Sequence, residues 1–145
     1  MIPEFTSEGL LPPGEHPATW NEIRTRFGWN PRRKALLGGL EAALIPLSAV
    51  GCSRLFLDGS FVTKKDQPGD YDAAWDPMGV DLKKLELIEP VFFELGNLRA
   101  AQKAKYLGEF FPASFPADLA GTRFREFFQI DKNNGTIKGI IVLKL

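Results

Sequence analysis

The stretch Leu55-Phe56-Leu57-Asp58-Gly59-Ser60, then nine residues, then Asp70-Tyr71-Asp72 decides the reading of this chain. Arg54 to Asp58 reads as a buried strand: a short apolar run, broken at Gly59-Ser60. A polar turn from Lys64 to Gly69 leads to a second strand, Asp70 to Trp75. Residues i and i+2 of a strand project to one face, so Asp70 and Asp72 point together while Tyr71 points away. Two carboxylates side by side repel unless a cation lies between them, and hard oxygen ligands suit Mg²⁺. Gly59 permits a close backbone approach, and the Ser60 hydroxyl with neighbouring N–H groups can grip a phosphate. Lys64 and Lys65, in the intervening turn, are placed to neutralise a polyphosphate.

Upstream of this stretch, the Pro-rich residues 1–17 read as an extended arm without helix or ladder potential, laid against the body by Ile2, Phe5, Leu10 and Leu11. Residues 18–145 form the domain proper. Thr19-Trp20-Asn21-Glu22 has capping-box spacing and opens a short helix from Trp20 to Phe27. Asn30-Pro31 starts a second helix, which runs to about Ser48, loosened near Pro46. Its buried face is Leu36, Leu37, Leu40, Ala43, Leu44 and Leu47. Downstream, 81–95 is ambiguous between helix and strand, and Asn97 is a candidate cap for a helix through about Ala104. Tyr106 to Phe111 suits a third strand. Thr122 is placed to cap a short helix carrying Phe124, Phe127 and Phe128. After a turn at Asn133-Asn134-Gly135, Ile137 to Leu145 suits a terminal strand. The fold class is α+β: a small mixed sheet with helices packed on one face.

With 145 residues the chain amounts to one ordinary domain, and its 44% hydrophobic content supports a packed core rather than disorder. Eighteen basic residues balance eighteen acidic ones, which removes wholesale electrostatic capture of nucleic acid or membrane. The charges are nevertheless segregated. Residues 66–96 hold eight acids and two bases, between two basic segments, the layout of a carboxylate cluster beside cations or merely of solvated faces. One Cys and one His are too few soft ligands for structural zinc, and Cys52 has no disulfide partner. The longest apolar run, Ala42 to Val50, is too short to span a bilayer, and no signal-like leader opens the chain. A cytoplasmic protein is expected.

The order of an apolar strand, Gly-Ser, a spacer and Asp-x-Asp resembles the signature of the nucleotidyltransferase superfamily. Gly59 and Ser60 match its Gly-Ser, and Asp70 and Asp72 match its metal-binding pair. The likeness is nearest to the minimal nucleotidyltransferases of bacteria, often encoded with a partner in toxin–antitoxin modules. The N-terminal Phe-Thr-Ser-Glu-Gly-Leu-Leu-Pro-Pro-Gly also looks like a bacterial family of short nucleotidyltransferase-like proteins. The resemblance implies transfer of a nucleoside monophosphate from an NTP to a macromolecular hydroxyl, with two Mg²⁺ ions held by Asp70 and Asp72. It implies nucleotide binding by Gly59, Ser60, Lys64 and Lys65, and a toxin–antitoxin or phage-defence setting with a protein partner and an RNA or protein acceptor. A catalytically inactive antitoxin or binding subunit is the alternative. Phe61-Val62-Thr63 departs from the small-residue-plus-Arg stretch common after the Gly-Ser.

The family uses a third carboxylate from a later strand. Glu109 in Leu107-Gly108-Glu109-Phe110-Phe111 is the choice, because a charge inside an apolar strand needs a reason. Asp81 and Glu86 compete with it, and a surface-facing Glu109 is the bland alternative. Elsewhere the bland readings are favoured. Asp58 organises the turn, Asp76 starts the Pro77 turn, and Cys52 is a small core residue. Arg32, Arg33 and Lys34 form a solvated cluster rather than a site for a phosphate or acidic partner. The Phe pairs at 92–93, 110–111 and 127–128 are core or a partner-facing patch, not a platform for bases.

Overall fold

The computed structural model describes residues 1–145. Five strands form one mixed sheet: β1 (Gly14–Ala18), β2 (Arg54–Asp58), β3 (Tyr71–Trp75), β4 (Gly108–Pro112) and β5 (Gly139–Lys144), in the order β1-β5-β2-β3-β4. The outer pairs β1–β5 and β3–β4 are parallel; β2 runs antiparallel to both of its neighbours. Helices α1 (Trp20–Phe27), α2 (Pro31–Ala49), α3 (Leu82–Ile88) and α4 (Gly96–Tyr106) bear the larger core; α5 is the four-residue Phe124–Phe127. The class is α+β, as the element pattern implies. No helix is long and apolar enough to cross a membrane.

Alternation along the strands sorts the two faces. Leu55, Leu57, Tyr71, Ala73, Trp75, Phe110, Ile141 and Leu143 meet Ile23, Phe27, Leu36, Leu40 and Leu47 of the helices. Each fully buried Leu of this set contributes about 1.5–3 kcal/mol, so Leu40→Ala at the centre of α2 would cost about 2–5 kcal/mol once the cavity is counted. The opposite face carries a smaller cluster of Phe56, Ala74, Ile140 and Val142, covered by Ala113, Phe128 and the half-buried Phe111, Phe124 and Phe127. A bidentate ion pair from Arg125 to Glu15, 2.6 and 2.7 Å, fastens this cover to β1. The longer helices thus share one face, while α5 lies on the other.

Both helix starts follow their caps. The Thr19 hydroxyl accepts from Glu22 N at 3.1 Å, and the Asn30 side chain accepts from Arg33 N at 2.9 Å. Helix α2 passes through Pro46, which sits in its last turn, and ends at Ala49. The ambiguous 81–95 stretch divides: Asp81 caps α3, and a 3₁₀ turn covers Pro90–Phe93.

Three expectations are corrected. The N-terminal arm does enter a ladder, since β1 pairs with β5 from Gly14↔Gly139 to Ala18↔Leu143, so the expected boundary at residue 17 falls inside a strand. Pro17 is tolerated because β1 is an edge strand, where its missing N–H breaks no second ladder. Asn97 does not cap α4. With Leu98 and Arg99 it forms a left-handed turn, φ 52, 54 and 60°, ahead of the right-handed helix. Nor does Thr122 cap α5, whose N-cap position is Arg123, without a side-chain bond.

Candidate functional site

The Gly59–Gly69 connection between β2 and β3 is held from below by arginines. Arg33 is fully buried and donates to the carbonyls of Phe27 (3.2 Å), Phe61 (2.6 Å) and Thr63 (2.8 Å), and to that of Lys65. Its guanidinium carbon lies 3.7 Å from the Trp29 ring centroid. Burial lowers the Arg33 pKa to about 10, opposed by the charge of Asp66. Arg32 donates to Pro68 O at 3.0 Å and to Gly69 O. The expected solvated cluster is therefore corrected for these two residues, whose donors satisfy loop carbonyls that the short connection leaves unpaired. Lys34 alone is solvated.

Gly59 has φ 87°, and a Cβ there would stand 3.2 Å from Asp72 Oδ2 and 3.3 Å from Asp72 N. Glycine is required both by the left-handed backbone and by the close approach. The antiparallel register sets Asp58 opposite Asp72, and the parallel register sets Asp72 beside Glu109. Residues in register project to one face, so three adjacent strands bring their acids to the thinly covered side of the sheet. Tyr71, pointing the other way, donates its hydroxyl to Tyr106 O at 2.7 Å in the core. Its ring fits under β4 because its register partner is Gly108, where a Cβ would fall 2.4 Å from the ring.

Asp70, Asp72 and Glu109 each offer a carboxylate oxygen, and these oxygens lie within 4.8 Å of one another. Burial raises the Asp72 pKa to about 7, helped by the charges of Asp70, Asp58 and Glu109. The Asp70 carboxyl is raised as well, by burial and then by Glu109. Asp58 is raised by burial against the opposing charge and hydrogen bond of Lys138, whose ammonium donates to it. Glu109 is held on its outer side by Arg99 Nε (3.1 Å to Oε2) and Lys103 Nζ (2.8 Å to Oε1). The left-handed turn at 97–99 opens the helix that carries both of these cations.

Of the residues singled out from sequence, Gly59, Ser60, Lys65, Asp70 and Asp72 border one cleft, and Glu109 closes its β4 side. Lys64 does not line it. That residue turns toward the N-terminal arm, donating its backbone N–H to Gly9 O at 2.8 Å, with its side chain exposed. Asp58, read as a turn residue, is corrected to a cleft residue. Lys132 and Lys138, which precede β5, supply the cations that Lys64 does not, and sequence reasoning missed them. Their approach is set by the tertiary return of the chain, and no local signal announces it. Asp81 caps α3 instead of competing with Glu109, and Asp76 accepts from Arg54 Nε (2.7 Å) and Met78 N (3.0 Å) in the expected turn. Cys52 is buried and its thiol is pushed up to about 11 by that burial, consistent with a core role.

No curated protein and no solved structure matches the chain. A family model does match, over residues 3–144. On that match the chain belongs to DUF6932, described as a family of unknown function.

Proposed function

We propose that this chain is a Mg²⁺-dependent nucleotidyltransferase that moves a nucleoside monophosphate from an NTP to a hydroxyl. The observation that carries the reading is the gathering of Asp70, Asp72 and Glu109 within reach of one cation, directly beside the Gly59-Ser60 turn and near a set of lysines. The donor chemistry fits a divalent cation: all three ligands are hard oxygens, and they lie within 4.8 Å of one another, a limit that admits the spacing of about 3–4 Å between two oxygens on one Mg²⁺. Burial, and after it the charges of their acidic neighbours, raise the Asp70 and Asp72 carboxyls, and a divalent cation held between them would relieve both effects.

In this reading Asp70 and Asp72 hold the metal ions and Glu109 completes the set. The metals supply Lewis-acid activation of the attacking hydroxyl and charge neutralisation on the pyrophosphate leaving group. The Ser60 hydroxyl binds the polyphosphate, while Lys65 and Lys132 offset its charge and Lys138 neutralises Asp58. Arg33, by tying the carbonyls of Phe61, Thr63 and Lys65, keeps the Ser60 turn in place before any ligand arrives. Incubation with each α-labelled NTP, Mg²⁺ and a cell extract as acceptor source tests the proposal. Label transferred by the parent and not by Asp72→Asn supports it; no transfer from any NTP counts against catalysis.

A second reading, a binding subunit that no longer catalyses and acts through protein–protein contact, is favoured by one observation. Both oxygens of Glu109 are already ion-paired, to Arg99 and Lys103. If those pairs exclude metal, Arg99→Ala with Lys103→Ala will bind Mg²⁺ more tightly than the parent. If they merely orient the carboxylate, the double variant will bind it more weakly.

A further inference from the structure

The carboxylates divide the cleft into two compartments of opposite character. On one side, a space of about 430 Å³ is bordered by Gly59, Ser60, Thr63, Lys65, Asn133 and Lys138. On the other, about 350 Å³ is bordered by Phe111, Phe124, Phe127, Phe128 and Ile130. Asp58, Asp70, Asp72 and Lys132 border both.

Core packing accounts for only part of the aromatic side, although these rings also cover the smaller core cluster. Phe128 is buried, but Phe124 and Phe127 are only half-buried and Ile130 is 41% exposed. Phe124 already has a stacking partner: its ring lies on Phe111, with centroids 4.2 Å apart at 19°. Phe127 touches Phe124 only edge-on, at 6.5 Å and 80°. Half-exposed aromatic carbon borders the same space as the carboxylates of Asp58, Asp70, Asp72 and Glu109, an apolar surface left open beside charges.

A polyphosphate has no use for such a wall, whose own polar members are acids apart from Arg99 and Lys132. The rest of a nucleotide does. With its polyphosphate among the lysines and its reacting phosphorus at the carboxylates, a nucleotide has only its nucleoside left to place. Accepting the nucleotidyltransferase reading, on which this inference rests, we propose that the aromatic compartment is the nucleoside subsite and that the substrate's base stacks on Phe127. The wall offers ring faces and aliphatic carbon, with few groups to read a base edge. Selection there is by stacking area, so purine nucleotides bind ahead of pyrimidine ones with little distinction between adenine and guanine.

Calorimetric titration of the full chain with Mg·ATP, Mg·CTP and Mg·tripolyphosphate separates the two layers of the argument. The parent should bind ATP about tenfold more tightly than tripolyphosphate, the scale of one stacked base, with CTP between them. Phe127→Ala, and Phe127→Leu as the variant that keeps apolar volume, should each remove most of ATP's advantage and leave tripolyphosphate affinity unchanged. Equal binding of ATP and tripolyphosphate by the parent overturns the subsite while leaving the phosphate and metal site standing. So does an equal loss for both ligands in Phe127→Leu, which marks Phe127 as structural. Failure of the parent to bind any of the three overturns the nucleotidyltransferase reading itself.

Discussion

Replacing Asp72 by Asn should stabilise the metal-free protein at alkaline pH and do nothing at acidic pH. Asp72 ionises near 3.8 when unfolded and near 7 when folded. Between those values the folded chain holds a proton that the unfolded chain has released. Stability is therefore fully present below about pH 4 and falls as pH rises toward 7. At about 1.4 kcal/mol per tenfold change in proton affinity, the ceiling on the loss is roughly 4 kcal/mol; proton sharing with Asp70 and Asp58 makes about 2–4 kcal/mol the expected value. An asparagine amide at this position carries no charge to bury, so in EDTA at pH 8 the variant should melt about 6–12 °C above the parent, with the difference vanishing by pH 4. Millimolar Mg²⁺ should raise the parent's melting temperature and leave the variant's in place, narrowing the gap. Circular dichroism melts at half-unit pH steps, with and without Mg²⁺, read this directly. If Asp72→Asn melts below the parent at pH 8, or if the difference does not change with pH, Asp72 is a structural acceptor and the repelling cluster is the wrong picture.

Gly59→Ala should cost about 1–3 kcal/mol, from the left-handed φ and the approach to Asp72, and should also abolish the Mg²⁺ response; urea titration with and without the ion checks both. Loss of Arg33 as Arg33→Met should cost about 2–4 kcal/mol in the same assay, because the Phe61, Thr63 and Lys65 carbonyls lose their donor. Arg33→Lys should not restore it, since an ammonium cannot reach that spread of acceptors. Glu109→Gln should cut label transfer by ~100-fold or more while leaving Mg·ATP binding largely intact, the pattern of a contact felt in the transition state. A large loss of binding instead would make Glu109 a ground-state ligand.

What was legible in the sequence depended on local physics. The β2–Gly–Ser–β3 segment reads correctly because an apolar run, a glycine and an alternating acid pair each act within a few residues. The same holds for the Asn30-Pro31 start of α2. Glu109 was legible for a different reason: a charge inside an apolar strand demands a destination, and the parallel β3–β4 pairing supplies it. The illegible parts are tertiary. Strand β1 pairs with a segment at the far end of the chain, so its Pro-rich composition concealed it. Lys132 and Lys138 reach the cleft on the return into β5, and Arg33 looked like a surface charge because its acceptors are loop carbonyls some thirty residues later. Phe127, read as core or patch, borders the acids only because the segment after β4 folds across the sheet.

The central claim is that Asp70, Asp72 and Glu109 form a divalent-cation site, and Mn²⁺ titration followed by electron paramagnetic resonance tests it most directly. At pH 7.5 the parent should remove free Mn²⁺ signal, more strongly when ATP is present, and excess Mg²⁺ should return it. Asp70→Asn and Asp72→Asn, shown folded by their melting curves, should leave the free signal untouched in the absence of ATP. Equal Mn²⁺ uptake by the parent and both variants, or none by any of them, would contradict the account.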